Sequence, residues 1–392
     1  MKVFKYFVFL FVLGVVISSC KKNQKDEAIP VSVLKIQVTS PSEIKAKSLE
    51  GLTISLKNIS TGNIKKSKLD SQGIYTSTVE EGTYNITVSG TIKLAQTDET
   101  TVKELSLSAV KENFAVSGAN VNLNIEAKVS LISGGWIFKE LYFRGSKRPT
   151  GKPYMFDNYF VLVNNSSEVM YADGLSISES DHLTAFQENK WIGDIENKVV
   201  VHTIYTIPGN GKDYPIQPGE TVVIADRAID HTIENSNSVN LSKANFEWFD
   251  NDKANIDIDI PEVTNMIKNF SYSATVWLPH SRGYRSYFLF KPENMKTYLA
   301  ENRIDKKTNS GKISTVYSIP NEMILDAVEL STPDMFKSKT MSSAIDLSYT
   351  FCDQYGKGVR RKVDFKLGDR AVFKDNNDSA NDFISNAELS LK

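Results

Sequence analysis

The sequence predicts a mainly β protein that contains two sandwiches in tandem, a small one and a larger one with short helical insertions. Two observations predict this class. Short segments in which apolar and polar residues alternate recur along the chain, and Gly, Asn, Ser and Asp separate them. Because 41% of the residues are hydrophobic and 10% are aromatic, both sandwiches can bury a core.

Residues 1–19 predict an export signal. Lys2 and Lys5 form a basic start, an apolar run follows over residues 7–16, and small residues lead to Cys20. The run is too short for a spanning helix, which needs roughly 20 apolar residues. The ending Ile-Ser-Ser-Cys resembles the bacterial lipobox, in which the cysteine is acylated and begins the mature protein. We therefore expect a lipoprotein signal with lipidation at Cys20; the alternative is an ordinary signal peptide with a cysteine nearby.

Residues 20–30 predict an exposed tether, because this charged stretch holds few residues that could enter a core. Within it, Lys25-Asp26-Glu27 is similar to the signal that directs Bacteroidota lipoproteins to the outer leaflet, although it begins five residues after the cysteine. The alternative is a solvated linker. These features predict a lipid-anchored protein of the outer membrane that faces the cell exterior.

Charge and cysteine content exclude several classes of protein. Without the signal, 44 basic residues face 47 acidic ones, and a net charge of −3 argues against nucleic-acid binding and against a polybasic membrane patch. With Cys20 lipidated, Cys352 is the only other cysteine, so we expect no intramolecular disulfide. Each domain must then be stable through its core alone.

The first domain is expected at residues 31–130. Its strand patterns include residues 34–38, 52–56 and 84–88, each with apolar side chains on one face. The stretch 51–88 resembles the carboxypeptidase regulatory-like, transthyretin-like sandwich that Bacteroidota place in front of many surface proteins. The resemblance implies a spacer without catalytic residues of its own.

Ser133-Gly134-Gly135 marks a boundary, and residues 135–392 are expected to form the larger β domain. Here the order of a strand at 159–165, a Pro218-Gly219 turn and a strand at 222–225 resembles the lamin-tail-like, immunoglobulin-type domain. The insert between Asn165 and Val199 is longer than in that pattern. The resemblance therefore implies the fold and no particular binding surface.

Three segments of the larger domain resemble an uncharacterised family of Bacteroidota lipoproteins, often found beside outer-membrane receptors for TonB-dependent uptake. They are Phe246-Glu247-Trp248, Arg360-Arg361-Lys362 and the stretch from Asn376 to Phe383. No activity follows from this resemblance. It implies that a TonB-dependent receptor is a partner.

No enzyme signature is present in the sequence. The four histidines, of which His202 lies in an alternating strand pattern, are not spaced for a helical metal site. A nucleophile elbow and a phosphate-binding loop are also missing. We therefore expect a structural role for His202, no catalytic residues and no enzymatic activity.

Acidic residues are the better candidates for a metal site. Asp250 and Asp252 could bind calcium, since calcium takes oxygen ligands from irregular loops. The nearby alternation at residues 256–260 reads more simply as a half-exposed strand. We expect no other cofactor.

Aromatic residues suggest a ligand-binding surface. Trp136 and Trp277 lie in strand patterns that predict core positions. Trp191 lies in a polar loop and Trp248 is flanked by Phe246 and by acids, which suggests exposed positions and contact with a ligand. The alternative is that both belong to the core, because buried aromatics dominate in sandwiches.

Asp378-Ser379-Ala380 is similar to the acceptor triplet for Bacteroidota O-glycosylation, which makes Ser379 a candidate modification site. The alternative is a capping turn.

These features favour a non-enzymatic, lipid-anchored surface protein that binds an unidentified ligand and assists TonB-dependent uptake. The alternative is a structural or adhesive surface protein that binds proteins or glycans. A concave pocket in the larger domain would favour capture, whereas a flat exposed patch would favour adhesion.

Overall fold

A computed structural model describes residues 29–42, 44, 48–95, 102–130, 135–191, 194–251, 256–307 and 311–392. The signal, Cys20 and most of the tether lie outside these ranges, as does Asp252. The described chain is nearly all β, with two short α-helices and β-sandwich layers, which confirms the predicted fold class.

The first sandwich has two facing sheets. Its strands are β1 (Val31–Thr39), β2 (Thr53–Asn58), β3 (Ile64–Lys68), β4 (Ile74–Glu80), β5 (Gly82–Ala95), β6 (Val102–Val116), β7 (Asn120–Glu126) and β8 (Lys128–Ser130). One sheet has the order β4-β1-β7, with β1 antiparallel to β4 and parallel to β7. The other sheet is antiparallel in the order β3-β2-β5-β6-β8.

Alternation along β1 shows how this core forms. Leu34, Ile36 and Val38 are buried, while most of their neighbours in the strand are exposed, because successive side chains point to opposite faces. Before β4, Gly73 adopts a φ of 75°, and a Cβ there would lie 2.5 Å from the carbonyl oxygen of Val38. Only glycine allows this close turn without strain.

The second sandwich occupies most of the remaining chain. Its strands are β9 (Trp136–Tyr142), β10 (Ser146–Lys147), β11 (Pro153–Tyr154), β12 (Tyr159–Asn164), β13 (Met170–Tyr171), β14 (Ser176–Ser180), β15 (Lys198–Thr206), β16 (Pro215–Ile216), β17 (Thr221–Ala225), β18 (Phe246–Glu247), β19 (Thr264–Asn265), β20 (Ile267–Ser271), β21 (Tyr287–Phe290), β22 (Arg303–Lys307), β23 (Ile313–Pro320), β24 (Ile324–Val328), β25 (Gly358–Arg361), β26 (Val363–Leu367), β27 (Arg370–Phe373) and β28 (Phe383–Ala387). The helices are α1 (Met295–Glu301), α2 (Ser379–Asp382) and a 3-10 helix at Asn321–Met323.

Two large sheets form this sandwich. The first sheet has the order β19-β18-β17-β12-β9-β25-β28, and the second has the order β22-β23-β15-β14-β21-β24, with β20 also paired to β15. Buried aromatic side chains from both sheets share one core. Examples are Phe160 on β12, Tyr205 on β15 and Tyr287 on β21.

One hairpin connects the two sandwiches. Strands β26 and β27 pair with each other, and we call residues 363–373 the wedge hairpin. Leu367 and Val372 lie in the core of the first sandwich, whereas Phe373 packs with Ile137 and Val163 of the second. The wedge hairpin therefore contributes to both cores.

Some strand boundaries differ from the sequence prediction. Trp277 was predicted to lie in a strand, but β20 ends at Ser271 and the buried Trp277 lies in a loop. The segment 359–365 contains parts of β25 and β26, which belong to different sheets. Trp277 reaches the core through its own side chain and does not need strand pairing.

Candidate functional site

A concave site lies beside helix α1 on the second sandwich, with a volume of about 650 Å³. We call it the α1 cavity. Helix α1, the segment before it and the 3-10 helix form its walls. The lining residues are Lys291, Pro292, Glu293, Asn294, Thr297, Tyr298, Glu301, Asn302, Glu322, Met323 and Leu325. Its size falls within the range of small-ligand pockets, roughly 300 to 1,000 Å³.

Local interactions hold the helical wall in place. Asn294 caps α1, because its side-chain oxygen accepts a hydrogen bond from the Thr297 backbone N–H at 3.0 Å. Tyr298 is buried, donates its hydroxyl hydrogen to the Ser318 carbonyl at 2.8 Å and packs against Phe290 of β21. The helix begins at Met295, so Pro292 precedes the cap and does not occupy the first turn.

The α1 cavity combines acidic and apolar surface. Three exposed glutamates, Glu293, Glu301 and Glu322, line it against a single lysine, Lys291. Leu325 also lines it and is 45% exposed, although apolar side chains usually avoid water. The arrangement suits a ligand that carries a positive charge beside an apolar group.

A buried network surrounds Glu179, which the sequence analysis did not single out. Its carboxylate accepts hydrogen bonds from His202 Nε2 at 2.8 Å, Trp277 Nε1 at 3.1 Å and the Tyr287 hydroxyl at 3.0 Å. Burial alone would raise the pKa of Glu179, but the hydrogen bond and charge of His202 lower it to about 2. His202 is itself buried, which agrees with its expected structural role.

The predicted ligand contact at Trp248 and Phe246 needs correction. Both side chains belong to the core of the second sandwich, and Trp248 is 0% exposed, so the prediction that it is exposed is wrong. Trp248 stacks on Phe160 with ring centroids 5.3 Å apart. The neighbouring acids suggested a surface position, but those acids are buried as well.

Asp250, a predicted calcium ligand, is one of these buried acids. Its Oδ1 accepts a hydrogen bond from the Tyr205 hydroxyl at 2.5 Å and forms an ion pair with Lys268 Nζ at 2.6 Å, and its Oδ2 accepts a hydrogen bond from Trp277 N at 2.5 Å. With both oxygens occupied by donors, this arrangement does not support a role for Asp250 as a calcium ligand. The second predicted ligand, Asp252, lies outside the described residues.

Trp191 is half-buried at the base of a surface loop. Its backbone N–H donates to Asn189 Oδ1 at 2.9 Å, and its indole Nε1 donates to Asp181 Oδ2 at 3.4 Å. The contact of Trp191 with a ligand stays a prediction. Trp191 does not line the α1 cavity.

Residues 217–390 match the family model DUF4876, described as a protein of unknown function. A crystal structure of a DUF4876 family protein from Bacteroides thetaiotaomicron VPI-5482 has a similar fold, with a TM-score of 0.60 and 23% identity. The similarity covers 92% of this chain and 98% of that chain. Both findings agree with the expected likeness to an uncharacterised Bacteroidota family, and the structural likeness shows the fold alone.

More distant structures add no argument. A candidate adhesin and a DUF3823 family protein, both from Bacteroides ovatus ATCC 8483, have TM-scores of 0.21 and 0.18 at 10% and 9% identity. These similarities cover 75% and 74% of this chain and 84% and 98% of the other chains. No curated protein matches the chain.

The part of the chain that matches DUF4876 contains the whole α1 cavity and also Ser379, the predicted glycosylation site. Ser379 is buried, and its hydroxyl donates to Asp346 Oδ2. Its backbone N–H donates to Asp346 Oδ1 at 2.8 Å. Because Ser379 is buried, its hydroxyl is not accessible once the protein has folded, and glycosylation of Ser379 stays a prediction.

The described ranges contain neither a cluster of metal-binding side chains nor a membrane-spanning helix. Among these residues, no group of three or more His, Cys, Asp or Glu side chains is arranged to hold a metal ion. None of the helices in the same part of the chain has the length and hydropathy needed to cross a membrane.

Proposed function

We propose that this protein is a lipid-anchored surface protein that binds a ligand in the α1 cavity. The cavity carries the proposal, because it is concave, has the volume of a small-ligand site and is lined by the apolar side chains of Met323 and Leu325 beside three glutamates. The second sandwich supports the wall, since Tyr298 of α1 is buried against β21. The site therefore needs little reorganisation before it binds.

The ligand class follows from the charges. A cationic group would be attracted by Glu293, Glu301 and Glu322, while an apolar neighbour would cover Met323 and Leu325. We expect an amine-bearing ligand of the size of a short peptide. Exposed carboxylates give modest attraction, so affinity should fall as salt rises.

The first sandwich would act as a spacer between the lipid on Cys20 and the binding domain. The resemblance of residues 51–88 to the carboxypeptidase regulatory-like sandwich implies such a role. In this proposal the protein binds its ligand without transforming it. The buried carboxylate of Glu179 supports that view, because its observed partners serve the fold.

The finer proposal is that the protein assists a TonB-dependent receptor of the outer membrane. Affinity purification of the full-length lipoprotein from intact cells, followed by mass spectrometry, tests it. Recovery of an outer-membrane barrel together with cleavage by external protease is the expected result. Protection from protease without a barrel would contradict both surface exposure and the uptake partnership.

A second candidate function is adhesion to proteins or glycans. Two exposed aromatic side chains favour it. Tyr272 is 57% exposed and stacks on His202 at 4.0 Å between ring centroids, and Phe186 is 56% exposed. Binding that is lost in Y272A but unchanged by substitutions in the α1 cavity would favour adhesion over capture.

Calorimetry with capped tripeptides tests the α1 cavity. Acetyl-Leu-Lys-Leu-amide should bind the full-length chain at least fivefold more tightly than acetyl-Leu-Gln-Leu-amide. The E301Q/E322Q variant should remove this preference, whereas E112Q, an exposed glutamate of the first sandwich, should keep it. Equal binding of the two peptides, or an equal effect of the control variant, would reject a cationic ligand in this cavity.

A further inference from the structure

A second and smaller cavity lies where strand β9 meets the loop at residues 278–281. Its volume is about 230 Å³. We call it the Arg144 cavity. Phe143, Met155 and Leu278 supply apolar lining, and Arg144 and His280 supply polar lining. None of its described lining residues is acidic.

The guanidinium of Arg144 has unused hydrogen-bonding capacity. One terminal nitrogen donates to the Ser281 carbonyl at 3.2 Å, but the Nε–H is buried without a partner. The group lies 4.8 Å from the ring centroid of Tyr355, and no carboxylate in the described part of the chain forms an ion pair with it. Because this guanidinium lines the cavity without a carboxylate partner, an anionic group bound there would be stabilised by its charge.

His280 supplies a second donor. Its Nδ1 accepts a hydrogen bond from the Tyr284 backbone N–H at 3.2 Å, which leaves the hydrogen of a neutral ring on Nε2. No acceptor for Nε2 is present among the described residues. Burial lowers the pKa of His280, so the ring is neutral near pH 7 and still donates one hydrogen bond.

We propose that the Arg144 cavity binds a small carboxylate with an apolar tail. A carboxylate suits this lining, because the guanidinium of Arg144 supplies the opposite charge and the His280 ring supplies an N–H donor. The apolar tail would cover Phe143, Met155 and Leu278. The volume lies below that of drug-sized pockets, so the ligand is compact, about the size of phenylacetate.

This site is separate from the α1 cavity, since the two share no lining residue and their charges are opposite. A ligand for one site is therefore a poor ligand for the other. The two proposals can fail independently, because one is tested with cations and the other with anions.

Calorimetric titration of the full-length chain with phenylacetate tests the proposal, with the neutral phenylacetamide as its partner compound. Phenylacetate should bind at least tenfold more tightly than phenylacetamide. R144M should weaken phenylacetate binding at least tenfold. K147M is the matched control, because Lys147 Nζ also lies 4.8 Å from the ring centroid of Tyr355 but Lys147 does not line the cavity. Phenylacetate binding to K147M should stay within twofold of its binding to the unaltered chain.

Three results would overturn the proposal. They are no detectable binding of phenylacetate, equal binding of the acid and the amide, and equal weakening in R144M and K147M. If R144M does not fold, the comparison of acid and amide in the unaltered chain decides the question.

Discussion

The two sandwiches are stabilised by different chemistry. In the described part of residues 31–130, the buried polar residues are Ser32 and Asn58, and no Asp, Glu, His, Lys or Arg is buried. The second sandwich buries many ionisable side chains: Glu140, Asp157, Asp173, Glu179, His182, His202, Asp226, Arg227, His231, Glu247, Asp250, Asp257, Asp326, Glu329, Asp346, Arg361, Asp378 and Asp382. The first core depends on apolar packing, whereas the second also depends on paired charges.

This difference affects how each region responds to change. An apolar core tolerates conservative substitutions when its volume is kept. A buried charge tolerates the loss of its partner poorly, because desolvation is then uncompensated. The second sandwich should therefore be the more sensitive of the two to single polar substitutions and to pH.

The largest expected effect is at Arg361, which is buried and donates two hydrogen bonds from Nη2 to the carboxylate of Asp326, at 2.8 and 2.6 Å. R361M leaves that carboxylate without its cation and should reduce the free energy of unfolding of the second sandwich by about 3 to 5 kcal/mol. Urea unfolding followed by tryptophan fluorescence measures this, because all four tryptophans lie after residue 135.

A second substitution separates lost charge pairing from lost packing. D326N removes the negative charge, and its amide oxygen can still accept the hydrogen bond from the Phe138 backbone N–H, which is 2.7 Å long. R361M/D326N should be more stable than R361M alone, by about 1 kcal/mol or more. A double variant as unstable as the sum of the two single variants would show that packing dominates.

The next effect concerns the wedge hairpin, through which the second region contributes to the first core. Leu367 is buried in that core, so L367A should destabilise the first sandwich by about 2 to 5 kcal/mol. Hydrogen exchange with mass spectrometry should show faster exchange in β1 and β2. If exchange changes only in the second sandwich, the wedge hairpin does not support the first core.

Two variants serve as controls for this effect. V363A alters the same hairpin at a half-exposed position and should cost under about 0.5 kcal/mol. K128A removes the exposed ion pair between Lys128 and Glu168, 2.7 Å apart, and should cost at most about 1 kcal/mol. Both should leave exchange in β1 and β2 nearly unchanged.

The difference between the two cores also explains which features could be predicted from the sequence. Period-2 alternation predicted strands within β1, β2 and β5, because their apolar positions correspond directly to the buried face. The alternation of apolar and polar residues is harder to recognise in the second sandwich, because Glu179 on β14 occupies a buried position that an apolar residue would usually take. The lesson is that an acidic residue beside an aromatic one does not establish exposure.

The candidate sites also could not be predicted from neighbouring residues in the sequence. Asp250 and Trp248 were predicted as site residues from their neighbours in sequence, but their partners, Tyr205 and Phe160, lie far away in the chain. The α1 cavity was missed because Glu322 comes from a 3-10 helix after two further strands. Short helical insertions were predicted, and the exposed glutamates that flank α1 were the available signal.

The last of the three main effects is a pH dependence at Glu247, which is fully buried in β18. Burial raises its pKa to about 7, with nearby Asp259 and Asp257 adding to the increase, although it accepts hydrogen bonds from Ile260 N and Ala228 N at 2.8 and 3.0 Å. Between pH 4.5 and 7 the folded state therefore holds a proton that the unfolded state has released. The stability contributed by this group is present below pH 4.5 and is lost as pH rises to 7, by at most about 1.4 kcal/mol per pH unit.

The E247Q variant isolates this contribution, because glutamine has no proton to lose and every other buried carboxylate is kept. The difference in unfolding free energy, wild type minus E247Q, should decrease by about 1 to 3 kcal/mol between pH 5 and pH 7.5. Urea unfolding by tryptophan fluorescence at four pH values measures it. An increase with pH would mean that the two backbone donors outweigh burial and that Glu247 is ionised in the folded state. The second sandwich would then stabilise a buried charge with backbone hydrogen bonds alone. The first sandwich buries no charged side chain among its described residues.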